Sequence, residues 1–118
     1  MKAKVLLVDN YQSVHKSLCN DLRLAKYDVT STSSEQDALA VLRDKSFDLV
    51  LLDVVMPAPN AWDAFQHIVA IRFSLPMIII TGCGDTQWLA AQEGVVAVLE
   101  KPVDLPVLLD AMKRALAP

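Results

Sequence analysis

The chain has 118 residues, 53% of them hydrophobic, with 11 basic against 14 acidic side chains and a formal charge of -3. That is the length of one ordinary domain, residues 1–118, with enough apolar mass to fill a single core, which excludes a disordered chain. The charges are scattered, with no basic stripe to track a phosphate backbone, and no apolar run approaches membrane-spanning length; neither direct nucleic-acid binding nor a membrane span is expected, and the chain reads as cytoplasmic. Cys19 and Cys83 have no CxxC spacing and no paired histidines beside them, so reduced thiols are expected.

Lys4 to Val8 forms the first apolar run, and from Ser13 a helical pattern places Val14, Leu18, Leu22 and Ala25 on one stripe. Val29 and Thr30 predict a short second strand. Ser33 or Ser34 then caps a helix in which Ala38, Val41 and Leu42 face inward, with Gln36 or Asp37 in its first turn. Leu49 to Leu52 is the third strand. After the loop Met56-Pro57-Ala58-Pro59, Asn60 caps a helix with Phe65, Ile68 and Val69 as its buried stripe and Asp63 near its positive end. Pro76 marks entry to a fourth strand, Met77 to Ile80. A short helix from about Thr86 to Gln92 ends at Gly94, where a left-handed residue belongs. Val95 to Leu99 is the fifth strand, and Asp104 caps a last helix carrying Leu105, Leu108, Leu109, Met112 and Leu116.

Short continuous Val/Ile/Leu runs separated by helix-length segments predict strands buried on both faces of a parallel sheet. The fold class is α/β, a three-layer α/β/α doubly wound sheet of five strands in the flavodoxin-like order 2-1-3-4-5. Ligands of such sheets bind beyond the carboxyl ends of the strands. The runs break off at Asp9-Asn10, Asp53, Thr81 and Glu100-Lys101, so Asp9, Asn10, Asp53, Thr81 and Lys101 are expected to converge on one crevice. His15 and His67 are separated, lack companion ligands and read as ordinary surface or partly buried histidines.

VLLVDN at positions 5 to 10, DLVLLDVVMP at 48 to 57, IIITG at 78 to 82 and EKP at 100 to 102 resemble, in order and across essentially the whole chain, the receiver domain of two-component response regulators. The resemblance implies that Asp53 is the phosphoacceptor. It implies that Asp9 and Asn10 occupy the acidic pair at a Mg²⁺ site, joined by Asp53 and by the main-chain carbonyl of Val55. Thr81 and Lys101 take the hydroxyl and lysine positions, and the Lys101–Pro102 bond takes the place of the family's cis peptide. The chemistry is coherent, because a carboxylate can attack a phosphoryl group to give an acyl phosphate while a hard cation and a lysine neutralise developing charge.

Several positions depart from the family pattern. Asn10 stands where a second acid is usual; one unit-charge pair at about 4 Å and an effective dielectric of about 20 is worth roughly 4 kcal/mol, and if a third survives desolvation Mg²⁺ binds about tenfold more weakly. Ala61 replaces a glycine at the start of the third helix. Val98 replaces a usual Tyr or Phe, and the segment from Gly82 to Gln92 is shorter than usual. Trp62 and Trp88 are either packed or available to a partner.

The expected function is therefore a phosphorylatable receiver that takes a phosphoryl group from a histidine kinase or phosphotransfer protein and alters binding to a downstream protein or output domain. A homodimer through the fourth helix, fifth strand and fifth helix is a further expectation. The alternative is a divergent pseudo-receiver acting without phosphate. Enzyme turnover ranks last: three glycines leave no phosphate loop for a nucleotide, and Val55 stands where aspartate-dependent phosphatases need a second acid.

Overall fold

The computed structural model describes residues 2–8, 12–54, 66–67, 69–70, 75–81, 90–92 and 94–117. Five strands form one sheet: β1 Lys4–Val8, β2 Asp28–Thr32, β3 Leu49–Val54, β4 Met77–Thr81 and β5 Val95–Glu100. All neighbours are parallel and the order is β2-β1-β3-β4-β5, as the runs of apolar residues predict. The helices are α1 Gln12–Leu24, α2 Glu35–Asp44 and α3 Leu105–Leu116, and residues 66, 67, 69 and 70 are also helical. The expected third-helix cap at Asn60 and the expected helix start near Thr86 lie outside the described residues.

Strand alternation divides the core between the two faces of the sheet. On one face Leu6, Val8, Val50, Leu52, Met77 and Ile79 pack with Ala38 and Leu42 of α2, with Val69 against them. On the other, Val5, Leu7, Leu49, Leu51, Ile78 and Ile80 pack with Cys19 and Leu22 of α1 and with Leu108, Ala111 and Met112 of α3. The central strands are apolar at successive positions because both of their faces are covered. Each large aliphatic side chain enclosed in this way contributes about 1.5–3 kcal/mol.

Helix ends follow local chemistry, with two departures from expectation. Ser34 caps α2, its hydroxyl accepting the Asp37 N–H at 3.1 Å. Asp104 occupies the corresponding place before α3, but its side chain makes no cap hydrogen bond, and Pro106 in the first turn already removes one of the donors a cap would satisfy. Ser34→Ala is therefore expected to cost about 1 kcal/mol in urea unfolding and Asp104→Ala less than about 0.5 kcal/mol; equal costs would refute the distinction. The second departure is at the end of α1, which closes through a left-handed lysine. Lys26 has φ 75°, its N–H bonds to the Arg23 carbonyl at 3.0 Å, and the Tyr27 N–H bonds to the Leu22 carbonyl at 3.1 Å. These are the paired bonds of a Schellman ending, which glycine usually supplies. Gly94, with φ 94°, sits just before β5 as its position suggests.

Three strands run further than their apolar runs. β3 extends through Asp53 to Val54, β4 includes Thr81, and β5 includes Glu100. Ladder pairing to a neighbouring strand continues past the last aliphatic residue, so these polar residues lie within the sheet's edge rather than in loops beyond it. Asp48 joins the opposite end: its carboxylate accepts the Lys4 N–H at 2.8 Å while its own N–H donates to the Lys4 carbonyl at 2.7 Å.

Candidate functional site

The C-terminal edge of the sheet gathers three of the sequence-predicted residues. Asp53 is paired in register with Ile80 of β4, and Leu52 before it is paired with Val8, the last residue of β1. Alternation puts Asp53 on the face of Leu49 and Leu51, toward the layer of α1 and α3. Its side chain is 1% exposed and its Oδ1 lies 2.6 Å from Lys101 Nζ. Opposite unit charges at this separation attract strongly where water is largely excluded. A carboxylate this enclosed is held as an ion only by such partners, since burying a charge without compensation is strongly unfavourable. Lys101 keeps 24% of its side chain exposed, so the pair is reached by solvent from the lysine side and not from the carboxylate side.

Thr81 ends β4, paired with Val54 on one side and Glu100 on the other, and is fully buried. Its carbonyl accepts the Lys101 N–H at 2.8 Å, which fastens the lysine backbone to β4 one residue beyond the strand pairing. By alternation Thr81 belongs to the face of Met77 and Ile79, opposite to that of Asp53. The Lys101–Pro102 peptide is cis. Asp9, Asn10 and Val55 lie outside the described residues, as do Ala61, Trp62, Cys83 and Trp88. Val98 is partly buried against the α2-side cluster, and Cys19 is a buried free thiol.

Among the described residues no group of three His, Cys, Asp or Glu side chains is placed to hold a metal ion, and Asp53 is the only predicted ligand whose side chain is described. Its donor chemistry fits Mg²⁺: an anionic oxygen at the sheet edge, next to the strand whose sequence continues into Asp9 and Asn10. What reading by residue type missed is the role of spacing within β5. Glu100 pairs with Thr81 although five steps of β5, from Val95, match four steps of β4, from Met77. Nothing in the run Val95-Val96-Ala97-Val98-Leu99 marks the residue that the ladder leaves over.

A doubly wound parallel sheet in the order 2-1-3-4-5 is the flavodoxin-like arrangement, and its enclosed carboxylate and lysine stand at the C-terminal edge where such sheets bind ligands. The family model of the response regulator receiver domain matches residues 5–113, and the chain belongs to that family. The C4-dicarboxylate transport transcriptional regulatory protein DctD of Rhizobium meliloti is 33% identical over 113 residues, covering 94% of this chain and 25% of that protein. The DNA-binding transcriptional regulator NtrC of the same organism is 33% identical over 117 residues, covering 98% of this chain and 24% of that protein. The chain thus spans about a quarter of the length of these two relatives. A crystal structure of a response regulator receiver domain protein from Clostridium thermocellum superposes with a TM-score of 0.86 at 30% identity, covering 97% of this chain and 94% of that one. The chain is a phosphorelay receiver domain of two-component signalling. Receiver domains work with histidine kinases and output domains, and the family generally uses Mg²⁺.

Proposed function

We propose that Asp53 is the phosphoacceptor of this receiver and that Lys101 is the cation that serves it. The observation that carries this reading is the 2.6 Å pairing of a 1% exposed carboxylate with an ammonium at the sheet edge. In the transfer step an Asp53 oxygen attacks the phosphorus of a phosphohistidine. The new O–P bond forms as the P–N bond breaks, and the imidazole leaves with its electron pair and takes up a proton. Lys101 is already adjacent, so it can pass from the carboxylate to a phosphoryl oxygen without reorganising the backbone that Thr81 holds. Asp9, Asn10, Asp53 and the Val55 carbonyl would hold Mg²⁺, whose chemistry is neutralisation of charge on the phosphoryl oxygens. Thr81 closes the scheme as the hydroxyl that responds to the new phosphate. The protein turns over no substrate of its own; its activity is limited to gaining and losing its own phosphoryl group.

The phosphoryl source is a histidine kinase or a phosphotransfer protein in the cytoplasm, and the output is a downstream protein or an attached output domain. No helix among the described residues is long and apolar enough to cross a membrane.

Incubation with acetyl phosphate and Mg²⁺ followed by intact mass is expected to show one added phosphoryl group, absent from an Asp53→Asn variant. Labelling that persists in that variant would remove Asp53 from the role. Asn10→Asp is expected to tighten Mg²⁺ binding about tenfold by restoring one negative charge. Isothermal titration giving equal dissociation constants for both proteins would refute the effect assigned to Asn10.

A further inference from the structure

Between the pair Met77–Val95 and the pair Ile78–Ala97, the ladder of β4 and β5 takes up one extra residue, Val96, as a β-bulge. Val95 packs with the cluster on the α2 side and Ala97 with the cluster on the α1 and α3 side. Two residues that are two apart share a face in a regular strand; here they lie on opposite faces, and the bulge is the reason. Val96 itself is 46% exposed. From Ala97 onward the pairing is regular, Ile79 with Val98, Ile80 with Leu99 and Thr81 with Glu100. Alternation then carries Lys101 onto the face of Ala97 and Leu99, which is also the face of Asp53, in agreement with the 2.6 Å contact.

The upstream end of β5 is fixed independently. The Gly94 carbonyl accepts the Met77 N–H at 2.8 Å, and Val95 is paired with Met77. A ladder continued from there without the bulge would pair Thr81 with Leu99. The next residue, on the face of Asp53, would then be Glu100. A second carboxylate would stand where the ammonium stands.

We infer that the Val96 bulge positions the lysine of the site: by absorbing one residue between Gly94 and Ala97, it decides that Lys101 and not Glu100 meets Asp53. The inference deepens the reading of Lys101 as the cation serving the Asp53 phosphate, and rests on that reading only where phosphoryl labelling is the readout. Val96 is thus the surplus residue that the bulge takes up, and the bulge acts through strand phase, not through contact with the reacting atoms.

Two variants of the full chain test this. Deletion of Val96 removes the surplus residue and leaves every pairing from Ala97 to Lys101 intact, so acetyl phosphate labelling with Mg²⁺ is expected to stay close to that of the unaltered chain. The double exchange E100K/K101E keeps length and composition but places a glutamate at Asp53, and labelling is expected to fall about a hundredfold or more. A double-mutant cycle of Asp53→Asn with Lys101→Met, read from urea midpoints, supplies a measure independent of phosphorylation. Coupling between the two positions is expected in the unaltered chain and in the Val96 deletion alike. Normal labelling of the exchanged protein, or a folded deletion protein in which the coupling has vanished, would overturn the inference. If the deletion protein does not fold, the exchange decides alone. If the unaltered chain takes up no phosphoryl group, the phosphoacceptor reading fails while the coupling measurement still decides the role of the bulge.

Discussion

Lys101→Met is expected to lower stability by about 1–3 kcal/mol and to slow phosphoryl labelling about a hundredfold, whereas Asp53→Asn abolishes labelling at little cost in stability. The asymmetry comes from burial. The Asp53 side chain is 1% exposed and cannot turn to water when its ammonium partner is removed, so the variant keeps an enclosed carboxylate with less compensation. Lys101 is 24% exposed on a flexible stem, and when the carboxylate is neutralised its ammonium can move into solvent. Urea unfolding of both single variants and of the double variant checks this. A Lys101→Met protein as stable as the unaltered chain, or equal losses from the two single changes, would show that the pair does not hold the enclosed charge. The labelling rates, measured on the same proteins, separate the chemical role of the lysine from its role in stability.

Ile79→Ala is expected to cost about 2–5 kcal/mol, a large share of the roughly 5–15 kcal/mol that holds a domain folded. Ile79 is fully buried in β4, between β3 and β5, in the cluster with Val50, Leu52, Ala38 and Leu42. Removing three carbons there leaves a cavity bounded by a sheet and a helix that cannot close around it without breaking ladder pairing. The fall in melting temperature should be on the order of 10 °C. Val96→Ala, one strand away on the bulge, should change stability by less than about 0.5 kcal/mol, because its side chain is already half in water. Thermal unfolding followed by circular dichroism distinguishes the two. Comparable losses would mean that Val96 is packed in solution and that the phase assigned to β5 is wrong.

Much of this organisation is legible from residue types. Apolar runs at 5–8, 49–52, 77–80 and 95–99 mark strands because only a sheet covered on both faces needs aliphatic residues at successive positions. Ser34 is legible as a cap because a hydroxyl before a helix has one favoured use. Asp104 belongs to the same class of residue in the same place and makes no cap bond; in its case proline at the second helical position changes the need. Lys26 gave no warning of its left-handed backbone, since the bonds that close α1 are demanded by the turn into β2 and not by the side chain.

The polar residues at the strand ends show the same division. Their types and order, within the motifs VLLVDN, DLVLLDVVMP, IIITG and EKP, resemble the receiver family, and that resemblance implies phosphoryl chemistry. The sequence by itself therefore determined the layered fold and its strand order, which follow from patterns of burial along a single chain, while the roles expected of the polar residues at the strand ends came from the resemblance to the receiver family. Only the tertiary structure decided that Asp53 lies within its strand, that its side chain is 1% exposed and 2.6 Å from Lys101, and by what register of β5 the lysine rather than Glu100 reaches it. The physical reason is that register between strands is set by packing on both faces of the sheet. A single residue taken up at Val96 changes the side of the sheet on which every later side chain emerges.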